Sequence, residues 1–137
     1  MQAELKEILL LQTEWTSGNS ASMQRRGVLI RTEVAAWLRD RVGAIATVMP
    51  PDARDLAVTG RDSTGLKSEV PWIRIYSASH SPSPREGWYL VYLFSALGDR
   101  VYLSLNQGTT GRPAPGSGGV GQNSARRPAG VVRQGGL

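Results

Sequence analysis

Asp52, Asp55, Asp62, Lys67 and Glu69 lie close enough in sequence to suggest a divalent-metal site for phosphodiester cleavage. Their context argues against it. They fall in a stretch punctuated by proline and glycine instead of across paired strands, and Lys67 precedes Glu69, the reverse of the usual acid-then-lysine order. His80 is the single histidine and there is no cysteine, which excludes disulfides, thiolate metal centres and a multi-histidine site. Gly116, Gly118 and Gly121 fit a dinucleotide-binding fingerprint by spacing alone. No strand pattern precedes them, no helix pattern follows, and a glycine-rich background makes the match cheap. Walker A, G-x-S-x-G and H-E-x-x-H motifs are absent from the sequence. No catalytic residue, metal or cofactor is therefore expected, and the chain reads as a non-enzyme.

Binding chemistry remains. The indole of Trp72 offers a π-face on which a nucleic-acid base can stack, and Arg61, Lys67, Arg74 and Arg85 lie in or beside the same segments, as phosphate contacts would. Each has a plainer reading. Trp72 also suits a structural tryptophan at a strand start. Arg74, between Ile73 and Ile75, reads slightly better as a solvated outer-face residue. Trp88, Tyr92 and Tyr102 read as sheet packing, and His80 as a loop residue without chemical duty. The formal charge of +5 adds little, because Arg112, Arg126, Arg127 and Arg133 sit beyond residue 108 with no acid among them, leaving the rest nearly neutral. A case for nucleic acid must rest on local patches.

The elements that would position these groups follow from periodicity. Leu5, Ile8, Leu9, Leu11 and Trp15 share one side of a helical wheel over residues 3–15, and a second helix is expected from about Ser22 to Val42, with Gly43 as its stop. Pro50-Pro51 forbids continuation, and Gly60 and Gly65 bracket what reads as a turn-rich loop. PWIRIYSA then alternates as a strand, while GWYLVYLFS and RVYLSLNQ, joined by ALGD, form a hairpin with Val101, Leu103 and Leu105 facing one way. The fold expected is α+β: two N-terminal helices packed on an antiparallel sheet of at least three strands. Half of the sixteen glycines lie beyond residue 108, so 109–137 is expected to be a disordered Gly/Pro/Arg tail attached to a domain over 1–108. The start does not resemble a signal peptide and no apolar run approaches spanning length, so a cytoplasmic, non-membrane protein is expected.

The segment Val58 to Gly108 resembles the N-terminal DNA-binding domain of McrB-type methylcytosine-directed (type IV) restriction proteins. The resemblance rests on the glycine-containing loop before Pro71-Trp72-Ile73, on Gly87-Trp88-Tyr89 with Val91-Tyr92-Leu93, and on Val101-Tyr102-Leu103 with Leu105-Asn106-Gln107-Gly108. It covers about 50 residues closely; the residues after Gly108 do not follow the family pattern. The resemblance implies a recognition module for double-stranded DNA that rotates a modified, methylated cytosine into an aromatic and apolar pocket. It places Trp72 and Leu93 in that pocket, with Thr64 standing where the family carries a loop aromatic. It also implies that cleavage comes from a separate nuclease or NTPase partner. Two alternatives stay open: a module for another DNA mark, such as hydroxymethylcytosine, methyladenine or a backbone sulfur, and an inactive, truncated fragment.

Overall fold

The computed structural model describes residues 1–63 and 65–109, and the backbone of 129–133. Thr64 and the remainder of the expected tail lie outside the described residues. Helix α1 spans Gln2–Gln12. It stops short of Trp15 as the backbone N–H groups of Thr13, Glu14 and Trp15 turn to carbonyls three residues back, and the Thr13 hydroxyl also bonds the Leu10 carbonyl (2.6 Å). Ser20 caps helix α2, Ala21–Val28, its side chain accepting from the Met23 N–H. The chain then winds through a π-helical stretch, Leu29–Glu33, straight into helix α3, Val34–Ala46. These segments are the single second helix expected from the sequence, longer at its end: Gly43 lies within α3, and the prolines at 50 and 51 prevent continuation.

In the π stretch the Val34 N–H bonds to the carbonyl of Leu29, five residues back. The wider winding lets Leu29, Ile30, Val34 and Ala35 all face the core, where a strict α-helix would turn some of them out. Leu5, Ile8 and Leu9 of α1 join them against the inner face of the sheet, which contributes Val58, Ile73, Ile75, Phe94 and Val101. Among the described residues no helix is long and apolar enough to cross a membrane.

The sheet has five antiparallel strands in sequential order: β1 Leu56–Arg61, β2 Trp72–Ser77, β3 Glu86–Phe94, β4 Val101–Thr109 and β5 Ala129–Arg133. Two of these depart from the sequence expectation. β1 occupies a segment that reads as a turn-rich loop because of Gly60. That glycine serves close approach instead: a Cβ there would overlap the backbone carbonyl of Ile30, its carbon only 2.7 Å away, so Gly60 lets β1 lie against the π turn. We expect Gly60→Ala to cost about 1–3 kcal/mol, since the obstruction is backbone and cannot swing aside. Urea unfolding would show a lowered midpoint with an unchanged slope, and an unchanged midpoint would disprove the close-approach role. β5 lies inside the segment read as a tail and pairs with β4, Leu103 opposite Val132, with a bulge before Leu105 opposite Ala129. Its few apolar residues cannot build a core, but an edge strand needs only a neighbour's free hydrogen-bonding groups.

Candidate nucleic-acid interface

The period-two alternation of the strands sends one set of side chains to the helices and the other to the opposite face. The register then decides which of the second set meet. Trp72 stands between Arg61 on β1 and Leu93 on β3; Arg74 between Thr59 and Val91; Tyr76 between Ala57 and Tyr89. On β4, Tyr102, Ser104 and Asn106 stand opposite Leu93, Val91 and Tyr89. Trp72 and Leu93, which the resemblance pairs in one pocket, are thus direct cross-strand neighbours.

This outer face is not open. Residues 78–85, between β2 and β3, fold back over it and are pinned by Arg74. One terminal nitrogen of its guanidinium donates to the Ser81 carbonyl (3.1 Å) and hydroxyl (3.0 Å), and the other to the Pro82 carbonyl. The guanidinium lies 3.5 Å over the Tyr76 ring centroid and 5.4 Å from that of Tyr89. Arg74 is only 3% exposed, which corrects the reading of it as a solvated residue. Burial pulls its pKa below the ordinary arginine value, with the two tyrosines opposing that shift, and the group stays cationic. It is placed to hold the covering loop; its charge is spent inside the protein.

Asp55 secures the other end of the same loop. Its carboxylate accepts from the Ser77 hydroxyl (2.5 Å) and the Ser79 N–H (2.7 Å), and these bonds hold its pKa at about 2. A carboxyl whose pKa falls on folding stabilises the fold fully above its unfolded value near 3.8 and loses that contribution as pH drops through about 2. Asp55→Asn should therefore lower stability at neutral pH and flatten its dependence between pH 4 and 2, which acid titrations followed by tryptophan fluorescence can check. Parallel acid curves for the two proteins would exclude this linkage.

Trp72 and Pro84 stand between two hollows. The larger, about 320 Å³, is lined by Thr59, Arg61, Arg74, Tyr76 and residues 82–84. The smaller, about 130 Å³, is lined on its far side by Tyr89, Val91, Leu93 and Asn106. Asn106 receives the Ser104 hydroxyl on its carbonyl oxygen at 2.7 Å, which leaves its amide N–H groups to a ligand. Through Thr59 and Arg61 the larger hollow joins a third, of about 470 Å³, bounded also by Arg31, Arg39, Gly60, Asp62, Ser63 and Lys67. The outer face thus runs from an aromatic and apolar hollow to a cation-lined one.

The structure distributes the other sequence candidates unequally. Arg61 is exposed and borders two hollows. Lys67 lies in the cation-lined one, but its ammonium already donates to the Ser63 carbonyl and stands 3.7 Å from Asp62. Arg85 is exposed at the end of the covering loop and lines none of the three hollows. Thr64 lies outside the described residues. The carboxylates are scattered: Asp55 caps the covering loop, Asp52 faces His80, Asp62 is buried beside Arg31, and Glu69 offers its backbone carbonyl to Gln12. Among the described residues no group of three or more candidate ligands is disposed to hold a metal. Tyr92 packs against the core as expected and Tyr102 is half-buried on the outer face, whereas Trp88 is 53% exposed, because the helices do not reach that end of β3.

Sequence reasoning missed Tyr89, Val91 and Asn106, which strand alternation places on the right face but only register brings to Trp72. It missed Arg31 and Arg39 altogether, since a helix's exposed arginines look alike until a strand is set against one of them. Residues 11–134 match the family described as MrcB-like, N-terminal domain, so the match runs on past Gly108, where the resemblance read from the sequence ends. Neither the curated proteins nor the solved structures contain a match to the chain.

Proposed function

The chain belongs to the MrcB-like N-terminal domain family, a DNA-binding module of restriction systems, and from that membership we propose that it recognises a methylated cytosine rotated out of duplex DNA. The observation that carries this reading is the hollow beside Trp72: an indole, a tyrosine and two aliphatic side chains around one amide, on a face continuous with cationic side chains. A base needs a stacking wall, shape-matched apolar contacts and a few polar partners for its edge. Trp72, Leu93, Val91 and Tyr89 supply the walls and Asn106 the polar partner. Arg61, Lys67 and Arg85 would neutralise phosphates along the strand, and Arg74 would act indirectly by holding residues 78–85 in place. Cleavage would fall to a separate nuclease or NTPase subunit.

The expected preference has a calculable scale. Burying one methyl group contributes about 0.8 kcal/mol, so a pocket that reads only the methyl should favour 5-methylcytosine by roughly fourfold. Competition between otherwise identical duplexes, unmodified or carrying 5-methylcytosine, hydroxymethylcytosine or methyladenine, tests this. Preference for 5-methylcytosine supports the reading; stronger competition by one of the other marks replaces the ligand; equal competition by all of them overturns recognition of a mark.

A further inference from the structure

The cation-lined hollow has an internal construction that a solvated cluster of arginines would not need. Asp62, 2% exposed, lies at its base at the end of β1, and the Arg31 Nε approaches its Oδ1 at 3.1 Å. Its Oδ2 has no hydrogen-bond partner among the described residues, the Lys67 ammonium being 3.7 Å away. Arg39 is tethered from α3 by a bond to the Val58 carbonyl (2.9 Å), and Arg61 projects from the adjoining strand. Four cationic side chains thus line one hollow with a single carboxylate at its base, two of them beside that carboxylate, and the hollow shares Thr59 and Arg61 with the hollow beside Trp72.

Gly27 makes this arrangement possible. A Cβ on that residue would collide with a terminal nitrogen of Arg31 and come within 2.7 Å of Asp62 Oδ2, so the ion pair occupies space that only glycine leaves free. Helix α2 carries this glycine one turn before Arg31, at a position where any other residue but proline would favour the helix more. The π-helical stretch that follows sets the angle at which Arg31 leaves the helix. Arginines fixed in this way lose little side-chain freedom when an anion arrives, which is what a pre-formed phosphate site requires.

We propose that Arg31, Arg39 and Arg61 seat a backbone phosphate of the DNA strand whose base enters the hollow at Trp72, with Asp62 and Gly27 as positioning residues. This rests on the proposed function in taking DNA as the ligand and in placing a base at Trp72; the seat itself requires only the first. A phosphate contact weakens binding to all sequences alike and makes the salt dependence shallower by about one unit of d log K/d log[salt]. Arg31→Ala and Arg39→Ala should each show that change, with affinity several-fold lower for methylated and unmodified duplexes equally. Lys6→Ala, which removes the same charge from an exposed position on α1 that lines none of these hollows, should not. Gly27→Ala keeps every charge and improves helix propensity, yet should bind more weakly because Arg31 is displaced.

These measurements use the full chain, with circular dichroism melts to verify folding of each variant. An unchanged slope for Arg31→Ala and Arg39→Ala, or an equal change for Lys6→Ala, overturns the proposal. Saturable binding of inorganic phosphate with DNA slopes unaltered in the variants also overturns it, in favour of a free-anion site. A shallower slope in Arg31→Ala and Arg39→Ala, together with a wild-type protein that shows no methyl preference, would remove the proposed base recognition and leave the phosphate seat standing.

Discussion

Trp72→Ala should abolish discrimination between methylated and unmodified duplexes and weaken binding to the methylated one by about 5-fold to 150-fold, the equivalent of roughly 1–3 kcal/mol for a stacked base. The indole is half-buried and borders both outer hollows, so truncation joins them and removes the wall against which a base would lie. It faces away from the helices, so the core stays intact and the thermal midpoint should move far less than the affinity. Trp72→Phe keeps a π-face and should retain most of the preference. Fluorescence anisotropy with both duplexes, beside a melt of each variant, separates the outcomes. Lost affinity for both duplexes with the preference intact would show that Trp72 contacts the DNA without contacting the mark.

The largest effect on stability is expected at Arg26. Its side chain is fully buried; one terminal nitrogen donates to Gln12 Oε1 (2.6 Å) and the other to the Ser68 carbonyl (2.8 Å). Burial lowers its pKa from the ordinary arginine value, with nearby Asp62 opposing the shift. Gln12 in turn donates to the carbonyls of Glu69 and Ser95, and the Trp15 indole N–H donates to that of Lys67. Three side chains from the N-terminal part of the chain thus hold the loop between β1 and β2, which carries Lys67 and leads into Trp72.

Arg26→Met would fill much of the space but leave Gln12 Oε1 and the Ser68 carbonyl without donors. A cost of about 2–4 kcal/mol follows, with a fall in Tm of roughly 10 °C. Because the loop loses its anchor, affinity for DNA should fall at temperatures where the variant remains folded. A variant with wild-type Tm would show that these bonds contribute nothing net, and full affinity in a destabilised protein would separate the loop from the binding face.

Much of this architecture was legible because it depends on local pattern. The helical spacing of Leu5, Ile8 and Leu9, the alternation through Trp72–Ser77, and the two apolar strands around ALGD each require only a window of residues to reveal their period. Trp72 and Leu93 could be placed in one pocket through the family resemblance, and the register set them opposite each other. What was misread depended on contacts that no helix or strand period reveals. Gly60 looks like a turn until the Ile30 carbonyl is found against it, and Arg74 looks solvated until residues 78–85 are seen to fold over it.

Residue types and their periods by themselves determined an α+β chain with an aromatic strand face. Tertiary structure alone decided which outer-face residues meet around Trp72 and which helix arginines join Arg61. The physical reason is that alternation assigns a side chain to a face, whereas neighbours across a sheet depend on register, and neighbours between helix and strand on how closely two backbones can approach. Here that approach is granted at Gly60, and the space for the Arg31–Asp62 pair at Gly27.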